Sequence, residues 1–125
     1  MFSVGTDLIE IDRIEKAMEN PRFMQRVFGE AERMELEKRR FAPQSAAAAF
    51  AAKEAFSKAV GTGISGFSLC EVQLLHNQDG APFLKLSGKA LEKFGHWHFS
   101  VSLTHVKTLA QAVVIAQNPQ EKEFE

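Results

Sequence analysis

Pro43-Gln44-Ser45-Ala46-Ala47-Ala48-Ala49-Phe50-Ala51-Ala52-Lys53-Glu54-Ala55-Phe56-Ser57-Lys58-Ala59-Val60 is the longest stretch of the chain with a single structural preference. Alanine has the best helix propensity, so the composition predicts a helix over about 45–60 that stops at Gly61-Thr62-Gly63. On that helix Phe50, Glu54 and Lys58 recur at i, i+4 and i+8 and share one face. An ordinary surface ion pair would account for Glu54 and Lys58. The flanking surface, however, is almost all small or apolar, which predicts a helix buried on most sides. Charges carried into such surroundings need a partner, a metal or a ligand.

Upstream, Phe2, Val4, Leu8, Ile9 and Ile11 read as a short buried strand interrupted by Gly5-Thr6-Asp7, with Asp7 at a strand end where side chains commonly face a site. Ile14, Ala17 and Met18 continue as a helix that Asn20-Pro21 stops. Phe23, Val27 and Phe28 lie on a second short helix ending at Gly29, and Glu30 to Arg40 reads as a charged third one. Downstream the pattern changes. Leu69 to Leu75 and Phe83 to Leu86 read as two strands around a turn over 76–82, and Ser87 to Phe94 as a helix capped by Ser87. Trp97, Phe99, Val101 and Leu103 alternate with polar residues as a strand, and Leu109 to Ala116 forms the last one. The order predicts an α+β fold in one domain over 1–125, antiparallel strands around one long buried helix.

Composition bounds the function. The chain has 125 residues, 45% apolar and 25% charged, the profile of a globular domain. A net charge of −1 offers no electrostatic case for nucleic acid. The one cysteine, Cys70, makes no internal disulfide and fits a reducing compartment as a small buried residue. Neither a secretory leader nor a stretch of about 20 apolar residues is legible, so no membrane is expected and the cytoplasm is the expected location. Eleven phenylalanines imply a greasy core with apolar surface left for subunit packing.

Three further features can carry chemistry. Asp7 is either a turn or capping aspartate or a carboxylate presented beside the long helix. Mg²⁺ prefers one or two protein carboxylates with waters and phosphate oxygens, and Asp7 with Glu54 would supply that minimum. Gly61 and Gly63 are either the glycines any helix end requires or a turn aiming backbone N–H groups at a phosphate. His105 ends the motif Ser102-Leu103-Thr104-His105, where a lone histidine is usually structural or solvated. His76, His96 and His98 lack metal-ligand spacing, and neither a nucleophile elbow nor a P-loop occurs.

Taken in order, Val4-Gly5-Thr6-Asp7-Leu8-Ile9-Glu10-Ile11, Arg13-Ile14, Phe50-Ala51-Ala52-Lys53-Glu54-Ala55, Lys58-Ala59, Gly61-Thr62-Gly63-Ile64, Asp79-Gly80-Ala81-Pro82 and Val101-Ser102-Leu103-Thr104-His105 span nearly the whole chain. Together they resemble the bacterial holo-(acyl-carrier-protein) synthases, the short single-domain branch of the 4'-phosphopantetheinyl transferases. The resemblance implies transfer of 4'-phosphopantetheine from coenzyme A to a serine of acyl carrier protein. Asp7 and Glu54 would bind the Mg²⁺ that grips the pyrophosphate. Lys58 would lie next to the phosphates, and Lys53 and His105 near the substrate. The family works as a homotrimer with coenzyme A between subunits. Many members carry an arginine where Ala49 stands; if it holds the 3'-phosphate, Arg39 and Arg40 are the candidates to replace it. An acidic carrier protein calls for a basic docking surface, and Arg13, Met18, Arg22, Phe23 and Arg26 on the first two helices fit one. Asp12, Glu15 and Glu19 dilute it, so a plain solvated face is the alternative there.

Overall fold

The computed structural model describes residues 1–61, 63 and 65–120. Strand β1 runs unbroken from Phe2 to Glu10, and helices α1 (Ile11–Ala17), α2 (Pro21–Val27), α3 (Glu30–Lys38) and α4 (Pro43–Val60) follow. A single turn at Leu69–Glu71 leads into the hairpin β2 (Val72–His76) and β3 (Pro82–Leu86), then α5 (Gly88–Phe94), β4 (His98–His105) and β5 (Leu109–Gln117). The fold is α+β, as the pattern predicts.

Three strands form one antiparallel sheet in the order β1-β5-β4. Its register puts Gly5 opposite Val114, Asp7 opposite Ala112 and Ile9 opposite Ala110, with Val101, Leu103 and His105 completing those rows on β4. Side chains alternate across a strand. One face therefore carries Ser3, Gly5, Asp7 and Ile9 with Ala110, Ala112, Val114 and Ala116, and α4 packs on it. The small residues let helix and strand come unusually close: a Cβ on Gly5 would fall onto the Ala55 carbonyl oxygen and lie 2.6 Å from the Ala59 nitrogen.

This approach explains why β1 is continuous where the sequence reads as broken. Gly5-Thr6-Asp7 looks like a turn from local preferences, yet Gly5 is the residue the packing demands. Asp7 consequently sits inside the strand, under α4, and not at a strand end. Two other local readings also change. Leu69 to Glu71 is a helical turn and not strand. Ser87 makes no side-chain cap on α5; the Glu71 carboxylate accepts from Lys89 N at 2.9 Å instead.

The core follows α4, whose Ala46, Ala47, Ala51, Ala52, Ala55 and Phe56 are fully buried. Around its C-terminal half, Phe56 meets Phe67, Phe94 and Phe99 with ring centroids 4.9–5.7 Å apart, and Trp97 stacks on Phe99. Much of the phenylalanine excess is thus internal. Cys70 is free and only partly buried. No helix among the described residues is long and apolar enough to cross a membrane.

Candidate active site

Asp7 projects from the middle of β1 towards α4, and α4 answers with Glu54 and Lys58, one turn apart. The Lys58 ammonium donates to the Thr6 carbonyl at 3.0 Å and to Asp7 Oδ1 at 3.3 Å. Glu54 is half-buried on the same side. Burial pushes its carboxyl above the usual range, the charge of Asp7 pushes it further, and Lys58 and Arg13 oppose the shift. Two carboxylates near enough to repel each other, beside an exposed lysine, are a donor set that suits a hard divalent cation. Among the described residues no group of three or more His, Cys, Asp or Glu gathers to hold a metal. Ligands beyond Asp7 and Glu54 would come from water and substrate, the usual manner of Mg²⁺.

Lys53, the neighbour of Glu54, is elsewhere. It is fully buried, and its ammonium donates to Glu32 Oε1 at 2.5 Å, to the Val72 carbonyl at 2.6 Å and to the Leu69 carbonyl at 3.3 Å. Burial drives Glu32 up and Lys53 down, each opposed by the charge of the other. An ammonium with all its donors used inside the core has no route to a bound substrate in this chain. The expectation that Lys53 contacts substrate is corrected on that ground.

The glycine turn also differs from one expectation. Gly61 adopts a left-handed φ of 82°, and its N–H donates to the Lys58 carbonyl; the N–H of Gly63 donates to the Ser57 carbonyl. Both amides close the end of α4, which supports the helix-end reading for these two N–H groups. Thr62 and Ile64 lie outside the described residues.

A second feature lies further along α4. Arg39, Gln44, Ser45, Ala49, His76 and His105 are among the residues around a cavity of about 140 Å³. Arg39 and Ala49 therefore line the same space, whereas Arg40 lines a groove beyond α3 with Met18 and Met34. Consecutive left-handed residues, Arg40 at φ 57° and Phe41 at φ 52°, make the turn between α3 and α4 and separate the two arginines. Of the pair, only Arg39 is placed to act beside Ala49. His76, which sequence reasoning set aside, reaches this cavity held by Glu35 Oε2 at 3.1 Å from Nδ1. Nothing in its local sequence signals that, because the contact joins β2 to α3.

Of the residues expected to dock the carrier protein, three share one groove and two lie apart from it. Arg22, Phe23 and Arg26 border a groove with Ser68 and Cys70. Met18 faces the other groove, and Arg13 lies close enough to Glu54 to favour its charged form. Phe23 stacks on Phe50 at 6.0 Å and belongs partly to the core.

With this geometry in view, comparison with known proteins is decisive. Residues 3–116 match the 4'-phosphopantetheinyl transferase superfamily. A holo-(acyl-carrier-protein) synthase of Treponema denticola is 40% identical over 94% of this chain and 98% of its own length. The chain belongs to the holo-(acyl-carrier-protein) synthases. Solved members of this synthase family share the architecture. The Helicobacter pylori synthase in complex with coenzyme A superposes with a TM-score of 0.80 at 30% identity, covering 91% of this chain and 99% of that one. The Bacillus anthracis synthase in complex with coenzyme A (3',5'-ADP) gives 0.77 at 35% identity, covering 93% and 96%. Family membership supplies a chemical context for the Asp7, Glu54 and Lys58 cluster.

Proposed function

We propose that this synthase moves the 4'-phosphopantetheine group of coenzyme A to a serine of apo acyl carrier protein, a step of fatty acid biosynthesis, at a Mg²⁺ site held by Asp7 and Glu54. The observation that carries the reading is the cluster of Asp7, Glu54 and Lys58 between β1 and α4. The serine Oγ bonds to the phosphorus bearing pantetheine, the bond from that phosphorus to the bridging oxygen breaks, and 3',5'-ADP leaves. Catalysis of this kind is mainly alignment and charge stabilisation. Mg²⁺, when bound, supplies positive charge against the pyrophosphate. Lys58 faces the leaving phosphate as a fixed charge or proton donor. Glu54, acting directly or through a water, is the carboxylate assigned to accept the serine proton.

His105 and Arg39 contribute to binding coenzyme A from the neighbouring cavity, with Arg39 offsetting the absence of an arginine at Ala49. The acidic carrier protein docks on α2, at Arg22 and Arg26, with Arg13 linking that surface to Glu54. The assembly is a homotrimer in the cytoplasm. The sheet face turned away from α4 supports the trimer: Phe2, Val4 and Leu8 on β1 are at least 60% exposed and Ile115 is exposed beside them. Several large exposed apolar side chains on one sheet face fit an interaction surface.

Incubation of apo acyl carrier protein with coenzyme A, Mg²⁺ and this synthase tests the reading by mass spectrometry. The expected gain is about 340 Da, one phosphopantetheine arm. No gain with any apo carrier protein offered would defeat it.

A further inference from the structure

Helix α4 carries Glu54, and apart from Phe50, Lys53, Phe56 and Val60 its buried side chains are small, among them Ala46, Ala47, Ala51, Ala52, Ala55 and Ala59. Interlocking side chains specify one arrangement in a core, and a row of alanines interlocks little. Phe50 and Phe56 pack against other rings, and polar anchors add to them in setting how far the helix is turned and how high it sits. On the sheet side these are Ser3 Oγ to the Ala59 carbonyl at 2.6 Å and Lys58 to Thr6 and Asp7. On the other side stands the Lys53–Glu32 pair.

We propose that Lys53 and Glu32 are positioning residues for the cation-binding carboxylates, fixing the rotation and height of α4 and hence where Glu54 meets Asp7. The proposal rests on the reading of Asp7 and Glu54 as cation ligands. Both side chains of the pair are enclosed, and every donor of the ammonium has an acceptor, so Lys53 has one orientation. Glu32 is fastened in turn: Oε1 accepts from Gly29 N at 3.0 Å, at the start of α3, and Oε2 from Leu74 N at 2.8 Å, in β2. The pair therefore joins α4 to the rigid part of two other elements. Lys53 and Glu54 are consecutive on a helix, one step of about 100° and 1.5 Å apart, so any displacement at one is handed to the other. Buried ion pairs add little net stability compared with apolar residues, and their best-attested use is to specify register. That is the use this site has for one.

Glu32→Asp keeps both charges but draws the carboxylate back by one methylene. Lys53→Arg keeps the charge but replaces a three-way ammonium with a planar fork, and serves if the first variant does not fold. The readouts are calorimetric affinity for Mg²⁺ alone, kcat, and KM for the carrier protein. Phe94→Leu, in the aromatic cluster, is the control for general loosening. A misplacement of about 1 Å originating far from the chemistry can cost about 100-fold, and a fall of about 10- to 100-fold in Mg²⁺ affinity is expected, with a parallel fall in kcat and no change in carrier KM. The control should keep wild-type Mg²⁺ affinity at a comparable loss of Tm. Unchanged Mg²⁺ affinity in the folded variants, or an equal loss in the control, overturns the proposal. If wild-type and Asp7→Asn bind Mg²⁺ equally, the cation reading itself fails and takes the proposal with it.

Discussion

Glu54 holds its proton more firmly than an ordinary glutamate because burial and the charge of Asp7 both penalise its ionised form. The sign of the resulting pH dependence follows directly. With the folded pKa above the unfolded one, the native state binds the extra proton between those two values. Without metal, stability therefore falls as pH rises from the unfolded value through the raised one, and the penalty is complete above it. Glu54→Gln is expected to raise the Tm of the metal-free protein at neutral pH while removing the Tm increase expected of wild type with Mg²⁺; scanning calorimetry with and without Mg²⁺ reads both. Mg²⁺ affinity should weaken as pH falls through the raised pKa of Glu54, since the cation requires the carboxylate. Asp7→Ala and Glu54→Ala should reduce turnover to background with little loss of folding stability, and near-normal transfer by either would remove it from the metal site. Arg13 adds a coupling that its place in the sequence conceals. Because it favours the charge on Glu54, Arg13→Glu should disturb both carrier KM and Mg²⁺ dependence, whereas Arg22→Glu should raise carrier KM alone in steady-state assays.

At the scale of elements, the site is a meeting of one strand and one helix, and Gly5 sets their separation. Gly5→Ala must force β1 and α4 apart, because the new methyl group would meet helix backbone and not a movable side chain. Overpacking of this sort costs about 1–3 kcal/mol, and urea unfolding should show at least that loss, with weaker Mg²⁺ binding in whatever folds. Wild-type stability in that variant would mean that strand and helix are not held so closely. The same contact shows why local preferences misread β1: strand continuity here is imposed by pairing with β5 along its whole length. Helix α4 was legible from its alanines, but its partners were not. That Lys53 turns into the core while Glu54 turns to Asp7 depends on which elements flank the helix, and Glu32 comes from a different one.

For the whole molecule, the face of the sheet opposite α4 is the surface on which the proposed assembly rests. Phe2, Val4 and Leu8 lie on the outer side of β1, with Val4 opposite Ile115 of β5 and Val113 opposite Thr6 between Val4 and Leu8. Leu8→Glu should convert the proposed trimer to monomer in analytical ultracentrifugation and lower transfer in parallel; an unchanged sedimentation coefficient would place the subunit contact elsewhere. Much of the rest was determined by sequence alone. Alanine content and glycine stops set the long helix, alternation set β4, and the ordered motifs set the family and singled out the candidate acidic pair. These are local or linear properties, carried by residues near each other in the chain. Only the tertiary structure decided that Asp7 lies within a strand, that Lys53 serves the core, that Arg39 and not Arg40 shares a cavity with Ala49, and that His76 joins it. Each of those depends on contacts between distant segments, such as Glu32 with Leu74 or Thr6 with Lys58. Such contacts form where the folded elements pack, and no short window of sequence contains both partners.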